Sequence, residues 1–167
     1  MTLGTPRSLV PSDGLALPPI AFIGGGNMAS AIVGGLLSQG LAVDRLKVVE
    51  PFAEARARLA QSFEIQALAA PDEALERCAV VVWAVKPQSF AEAAGAVRAF
   101  TPNALHLSVA AGIPTDSIAR WLGSERVARA MPNTPALIGQ GMTGLYARPA
   151  VQAQDRQRVE QVLAATG

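Results

Sequence analysis

Short apolar runs alternate with alanine-rich amphipathic stretches along most of this chain. Ile20-Ala21-Phe22-Ile23 ends at a glycine and reads as a buried strand. From Asn27 to Gln39 the residues Ile32, Val33, Leu36 and Leu37 fall on one helical face, and Gly40 supplies a stop. The same pattern predicts strands over Leu46–Glu50, Glu64–Leu68, Ala79–Val85, Leu105–Val109, Val127–Met131 and Thr143–Ala147. Helices are expected over Ala53–Ser62, around Asp72–Arg77, after Pro87, over Thr115–Leu122 and over Gln152–Thr166. Pro87 suits a first helical turn because it brings no N–H that the turn would leave unpaired. Ala79–Val85 is the most apolar run, as expected of a central strand covered on both faces.

Alternation of this kind predicts an α/β fold: a Rossmann-like, doubly wound, mostly parallel sheet with helices on both faces. Ligands of such sheets bind beyond the carboxyl ends of the strands. The loops beginning at Gly24, Glu50, Val85, Val109 and Met131 therefore share one rim. Residues 1–19 carry Pro6, Pro11, Pro18 and Pro19 with Gly4 and Gly14, and read as a disordered tail. A dinucleotide-binding domain is expected over residues 20–150, followed by a helix in 151–167.

Composition narrows the function classes. A length of 167 residues suits one domain, and 50% hydrophobic against 16% charged residues allows a substantial core. A formal charge of +1 gives no electrostatic case for nucleic acid. No apolar run approaches the roughly 20 residues that span a bilayer, so no membrane partner is expected. The N-terminus lacks the apolar core of a secretory signal. Cys78, alone of its type, excludes an intrachain disulfide and a Cys-rich metal site. A cytoplasmic protein is the expectation.

The strongest chemical signal is Gly24-Gly25-Gly26-Asn27-Met28-Ala29, a G-x-G-x-x-A segment placed between a strand and a helix. Gly24 permits a tight turn, Gly26 lets backbone approach a pyrophosphate, and Ala29 lets helix and strand pack closely. The phosphates then meet free N–H groups at the positive end of the helix dipole. Glu50 follows Ala29 by twenty-one positions at the end of the second strand, where a carboxylate would hold the ribose 2′-OH of NAD and repel a 2′-phosphate. Arg56 and Arg58 would offset that repulsion. Alternatively Glu50 is a surface residue and both arginines are solvated, which leaves NADP and NAD open.

Ala84-Val85-Lys86-Pro87-Gln88 follows the central strand and puts Lys86 on the rim beside a turn stiffened by Pro87. Ser108 to Gly112 offers small residues that a flat ring can approach; ordinary turn chemistry is the competing reading. Asn133 and Thr134 supply donors and acceptors between Pro132 and Pro135, or cap their own loop. His106 reads as a structural histidine in an apolar strand, and Cys78 as a small core residue. Neither a nucleophile–base pair nor a metal-ligand cluster is legible, which fits hydride transfer, where this kind of domain mainly holds the cofactor.

Together, residues 22–29 (FIGGGNMA), 84–88 (AVKPQ), 108–112 (SVAAG) and 129–135 (RAMPNTP) resemble pyrroline-5-carboxylate reductase in order and spacing, over about residues 20–167. The resemblance implies NADPH- or NADH-dependent reduction of the small molecule 1-pyrroline-5-carboxylate to L-proline. It also implies that residues 24–29 hold the pyrophosphate and that Ala84, Val85, Lys86 and Pro87 line the nicotinamide side. Ala110, Ala111 and Gly112 would approach the nicotinamide and its ribose, with Asn133 and Thr134 near the substrate. Family members continue into a helical domain that forms a homo-oligomer and carries a Ser-Gly-Ser-Gly-Pro segment. The helix in 151–167 would lead into that domain, and its stripe of Val159, Val162 and Leu163 is expected to be incompletely covered without it. Two other readings fit the residues: a standalone NAD(P)-binding module, and a related coenzyme F420-dependent NADP oxidoreductase.

Overall fold

The computed structural model describes residues 17–132 and 143–166. Within them a single sheet holds β1 (Ile20–Ile23), β2 (Leu46–Val49), β3 (Val80–Trp83), β4 (Leu105–Ser108), β5 (Val127–Pro132) and β6 (Thr143–Ala147), in the order β2-β1-β3-β4-β5-β6. The first five strands are parallel, and β6 joins β5 antiparallel. The helices are α1 (Asn27–Ser38), α2 (Ala53–Phe63), α3 (Phe90–Val97), α4 (Thr115–Leu122) and α5 (Ala153–Leu163).

Period-two alternation divides every central strand between two cores. Ile20, Phe22, Val80, Val82, Leu105 and Leu107 pack with Ile32, Leu36, Leu59, Val159 and Val162, so α1, α2 and α5 cover one face. Ala21, Ile23, Val81 and Trp83 pack with Phe90, Val97, Ile118 and Leu122, so α3 and α4 cover the other. This two-sided burial is why the strands read as apolar runs and not as alternating ones. Each fully buried large side chain, such as Phe22, contributes about 2 kcal/mol of transfer free energy. Helix ends follow their local chemistry: α4 starts after Pro114 and stops at Gly123, whose φ of 64° closes the last turn in the left-handed region.

Four expectations change. Leu17 is buried at 1% exposure, and its carbonyl accepts from Arg45 Nη1 at 2.8 Å, so the core starts ahead of Ile20. Glu64–Leu68 is not a strand. Glu64 ends α2 at a φ of 59°, and Leu68 makes one bridge to Val49 at the sheet edge. Asp72–Arg77 narrows to a 3₁₀ turn over Glu73–Arg77, with the Asp72 carboxylate accepting from Ala74 N at 2.8 Å. Finally, Val159, Val162 and Leu163 are covered: all three are buried against α1 and the sheet. Gly35 explains how the chain end gets so close, since a Cβ there would lie 2.3 Å from the Ala165 carbonyl oxygen.

Candidate functional site

β1 lies between β2 and β3, so the chain's winding direction reverses beside β1, which is where a sheet of this kind has its ligand crevice, beyond the carboxyl edge. Two loops interlock across it. Gly24 N donates to Val49 O at 2.9 Å and Ala84 N to Ile23 O at 2.8 Å. Gly24 has a φ of 96°, and a Cβ on it would stand 2.5 Å from the Ala84 carbonyl oxygen. Both conditions demand glycine.

The next two glycines differ. Gly25 is buried, and a Cβ there would meet Leu59 Cδ1 at 2.8 Å. Gly26 is exposed, with nothing within 4 Å of its Cβ direction, so a ligand can approach its backbone. Gly26 is the N-cap of α1 and gives no side-chain cap, the first turn holds no acidic residue, and the first helical bond runs from Ser30 N to Gly26 O at 2.9 Å. The amides of Asn27, Met28 and Ala29 precede that bond and have no carbonyl within the helix to take them. Ala29 is buried in the α1–sheet contact, while Asn27 is exposed and Met28 half-buried. An uncapped helix start under an open glycine fits an anionic diphosphate.

Glu50 is brought to this loop and is 6% exposed. Its Oε2 accepts from Gly25 N at 2.7 Å and its Oε1 from Phe52 N at 3.0 Å. That overturns the surface reading: the carboxylate braces the glycine loop from beneath. The parallel pairing of β1 with β2 and the reach of a glutamate put it there, and no local sequence signal announces the bond. Arg56 is half-buried and donates to the carbonyls of Glu50 at 3.0 Å and Pro51 at 2.8 Å, whereas Arg58 is exposed. Phe52, 72% exposed, stands beside them at the crevice end and was not singled out by the sequence pattern.

Along the same rim, Ala84 and Val85 are half-buried and Lys86 is exposed as the cap of a 3₁₀ turn over Pro87–Ser89. Val109 N donates to Trp83 O at 3.0 Å, which ties the β4 loop to the end of β3. Ala110 is buried and donates its N–H to Ser108 Oγ at 3.2 Å, while Ala111 and Gly112 are exposed, Gly112 at a φ of 75°. Asn133 and Thr134 lie outside the described residues.

His106 is a structural partner. Its Nδ1 accepts from Trp83 Nε1 at 3.1 Å, and Trp83 stacks on Phe90 with ring centroids 4.8 Å apart. Burial, and then the nearby Arg126 charge, push its pKa down to about 4, so it is neutral near pH 7. Cys78 is buried and its thiol is pushed up to about 11 by burial, against an opposing pull from Lys47. It is therefore no thiolate nucleophile. Among the described residues no cluster of His, Cys, Asp or Glu could hold a metal, and no helix is long and apolar enough to cross a membrane.

Comparison with known proteins adds to this geometry. Residues 19–112 match a family model described as NADP oxidoreductase, coenzyme F420-dependent. A pyrroline-5-carboxylate reductase of Pseudomonas aeruginosa is 44% identical over 155 residues, covering 92% of this chain and 57% of that protein. One from Haemophilus influenzae is 39% identical, covering 89% and 55%. The solved pyrroline-5-carboxylate reductase of Coxiella burnetii superposes with a TM-score of 0.83 at 32% identity, over 90% of this chain and 57% of that one. The Plasmodium falciparum enzyme, solved with NADP bound, gives 0.78 at 22% identity and shows the shared fold. This chain thus spans a little over half the length of the curated relatives it matches.

Proposed function

The chain belongs to the family described as NADP oxidoreductase, coenzyme F420-dependent, and from that premise we propose that it is the coenzyme-binding half of a pyrroline-5-carboxylate reductase. Such an enzyme reduces 1-pyrroline-5-carboxylate to L-proline with NADPH or NADH. The observation that carries the reading is the glycine loop. Gly24 is locked under Ala84, Gly25 is held by Glu50, and Gly26 is left bare over an uncapped helix. A diphosphate is the group this arrangement suits, and relatives with the same fold carry the reductase name.

Bound there, a reduced nicotinamide would supply the hydride. The chain's own residues do the rest of what this half requires. The amides at the start of α1 bind the diphosphate, Glu50 holds their loop, and the small residues Ala84, Ala110, Ala111 and Gly112 leave room for a flat ring at the rim. Asn133 and Thr134 are proposed to face the substrate. Most of the groups that hold the second reactant are proposed to lie beyond these 167 residues, because the relatives extend well past the matched part. Positioning of two reactants accounts for about 7–11 kcal/mol of such a barrier. A polypeptide of residues 1–167 is therefore expected to bind coenzyme yet turn over pyrroline-5-carboxylate far more slowly than a relative of full length. Calorimetric titration with NADPH and NADH, beside steady-state assays, tests both parts; full turnover by residues 1–167 would refute the second.

The family description itself supports a second reading, an oxidoreductase passing hydride between NADP and coenzyme F420. An assay offering pyrroline-5-carboxylate and reduced F420 in parallel separates them. Coenzyme choice centres on Glu50. Glu50→Ser should move the NADP-to-NAD affinity ratio toward NADP, because an anion beside the ribose is removed. It should also weaken both coenzymes, because Gly25 N loses its acceptor. A ratio that stays put while both affinities fall leaves Glu50 as a loop brace alone.

A further inference from the structure

A cleft of about 560 Å³ opens where β5 and β6 pass the start of α4. Pro114, Thr115, Arg129, Met131, Leu145 and Tyr146 form its walls. It adjoins the rim, since Pro114 follows Gly112 by two residues and Met131 lies near the carboxyl end of β5. Arg129 is registered between Ser108 on β4 and Tyr146 on β6, which places it on the α4 side of the sheet at its carboxyl edge.

Among the described residues the guanidinium of Arg129 is poorly served: its buried Nε has no hydrogen-bond partner there, and its Nη2 donates to Met131 Sδ at 3.3 Å. A thioether is a weak acceptor for a charged donor. The Nε–Nη2 edge is the geometry that takes both oxygens of a carboxylate. Met131 is 50% exposed and unbranched, so it can rotate off that edge without disturbing the core. Nearby, α4 begins at Pro114 with no side-chain cap, and its first bond runs from Ile118 N to Pro114 O at 3.3 Å, leaving earlier amides open at the positive end of the helix. Asp116 also borders the cleft, but its carboxylate is committed to Arg148, which holds Glu125 as well.

We propose that this cleft binds a small carboxylate with an apolar body, gripped by the Nε–Nη2 edge of Arg129 once Met131 moves aside. The Met131 thioether then stands in for the carboxylate when none is bound. Pro114, Leu145 and the Tyr146 ring enclose the apolar body. One guanidinium in a half-apolar cleft matches one negative charge, which favours a monocarboxylate over a phosphate. The carboxylate has two possible sources. It belongs either to the cyclic imino acid and its saturated product, which rests on the function proposed above, or to an unrelated metabolite of similar shape.

The ¹⁵N-labelled chain would be titrated with L-proline, with cyclopentanecarboxylate and with inorganic phosphate, reading the Arg129 Nε–Hε signal, which Arg129→Lys identifies by its loss. A saturable shift with L-proline alone supports the site and assigns it to the reaction. A shift with cyclopentanecarboxylate, with or without proline, supports the site and assigns it to carboxylates of that shape. Met131→Ala, which removes the stand-in and leaves Arg129 in place, should tighten binding several-fold. An Arg129 signal unmoved by either carboxylate, or moved equally by phosphate, overturns the proposal. Coenzyme binding is read separately at the Gly25 and Gly26 amides, so its failure would not be confused with this one.

Discussion

At the residue scale, the chemistry of His106 bears directly on stability. It sits on β4 with its ring against Trp83, and burial with the Arg126 charge lowers its pKa to about 4 from an ordinary 6.5. The folded chain therefore holds fewer protons here than the unfolded chain between those two values. Its contribution is complete above pH 6.5 and is lost as pH falls toward 4, by roughly 3 kcal/mol in all. Denaturant unfolding from pH 7 to pH 4 should show this slope, and His106→Phe should flatten it; an equal slope in the variant would clear His106 of the role. Gly24 tests a different residue-scale rule. Gly24→Ala forces a side chain onto a φ of 96° and drives its Cβ toward the Ala84 carbonyl oxygen. A loss of about 3 kcal/mol is expected. Chemical denaturation beside a coenzyme titration would check it, and a variant as stable as its parent would mean the loop simply shifts.

Between elements, closeness decides the sign of otherwise similar substitutions. Gly35 and Gly95 both lie inside helices, where alanine is favoured by about 1 kcal/mol. Nothing lies within 4 Å of a Cβ at Gly95, so Gly95→Ala should stabilise by that amount. At Gly35 the Cβ would meet the Ala165 backbone, so Gly35→Ala should destabilise by about 2 kcal/mol and release residues 164–166 from α1. Paired thermal melts suffice, and matching signs would refute the packing argument. Sequence periodicity made the helices and parallel strands legible because it records burial, and the glycine loop was legible because its spacing records backbone geometry. Contacts made through tertiary neighbours were not. Glu50 under Gly25, Leu17 in the core and the bidentate Arg126–Asp155 pair depend on chains that meet only after folding. Glu64–Leu68 reads as a short strand in the sequence, yet the segment spends its first residue on the left-handed end of α2, and Ile65 is buried without a strand around it.

At the scale of the whole molecule, the sheet couples the crevice to global stability, since the glycine loop is pinned to β2 and β3 at once. A ligand that binds only the folded chain stabilises it by about 2.7 kcal/mol at one hundred times its Kd. For a chain of 167 residues that corresponds to a rise in Tm of roughly 5–11 °C. NADPH or NADH should produce such a rise in the parent chain and in Gly95→Ala, whose change lies in α3, away from the glycine loop. Gly24→Ala should lose most of it at the same coenzyme concentration, beyond whatever its own lower starting Tm explains, because its loop can no longer close under Ala84. A full coenzyme-induced rise in Gly24→Ala would place the binding energy elsewhere on the sheet and remove the glycine loop from the centre of the mechanism.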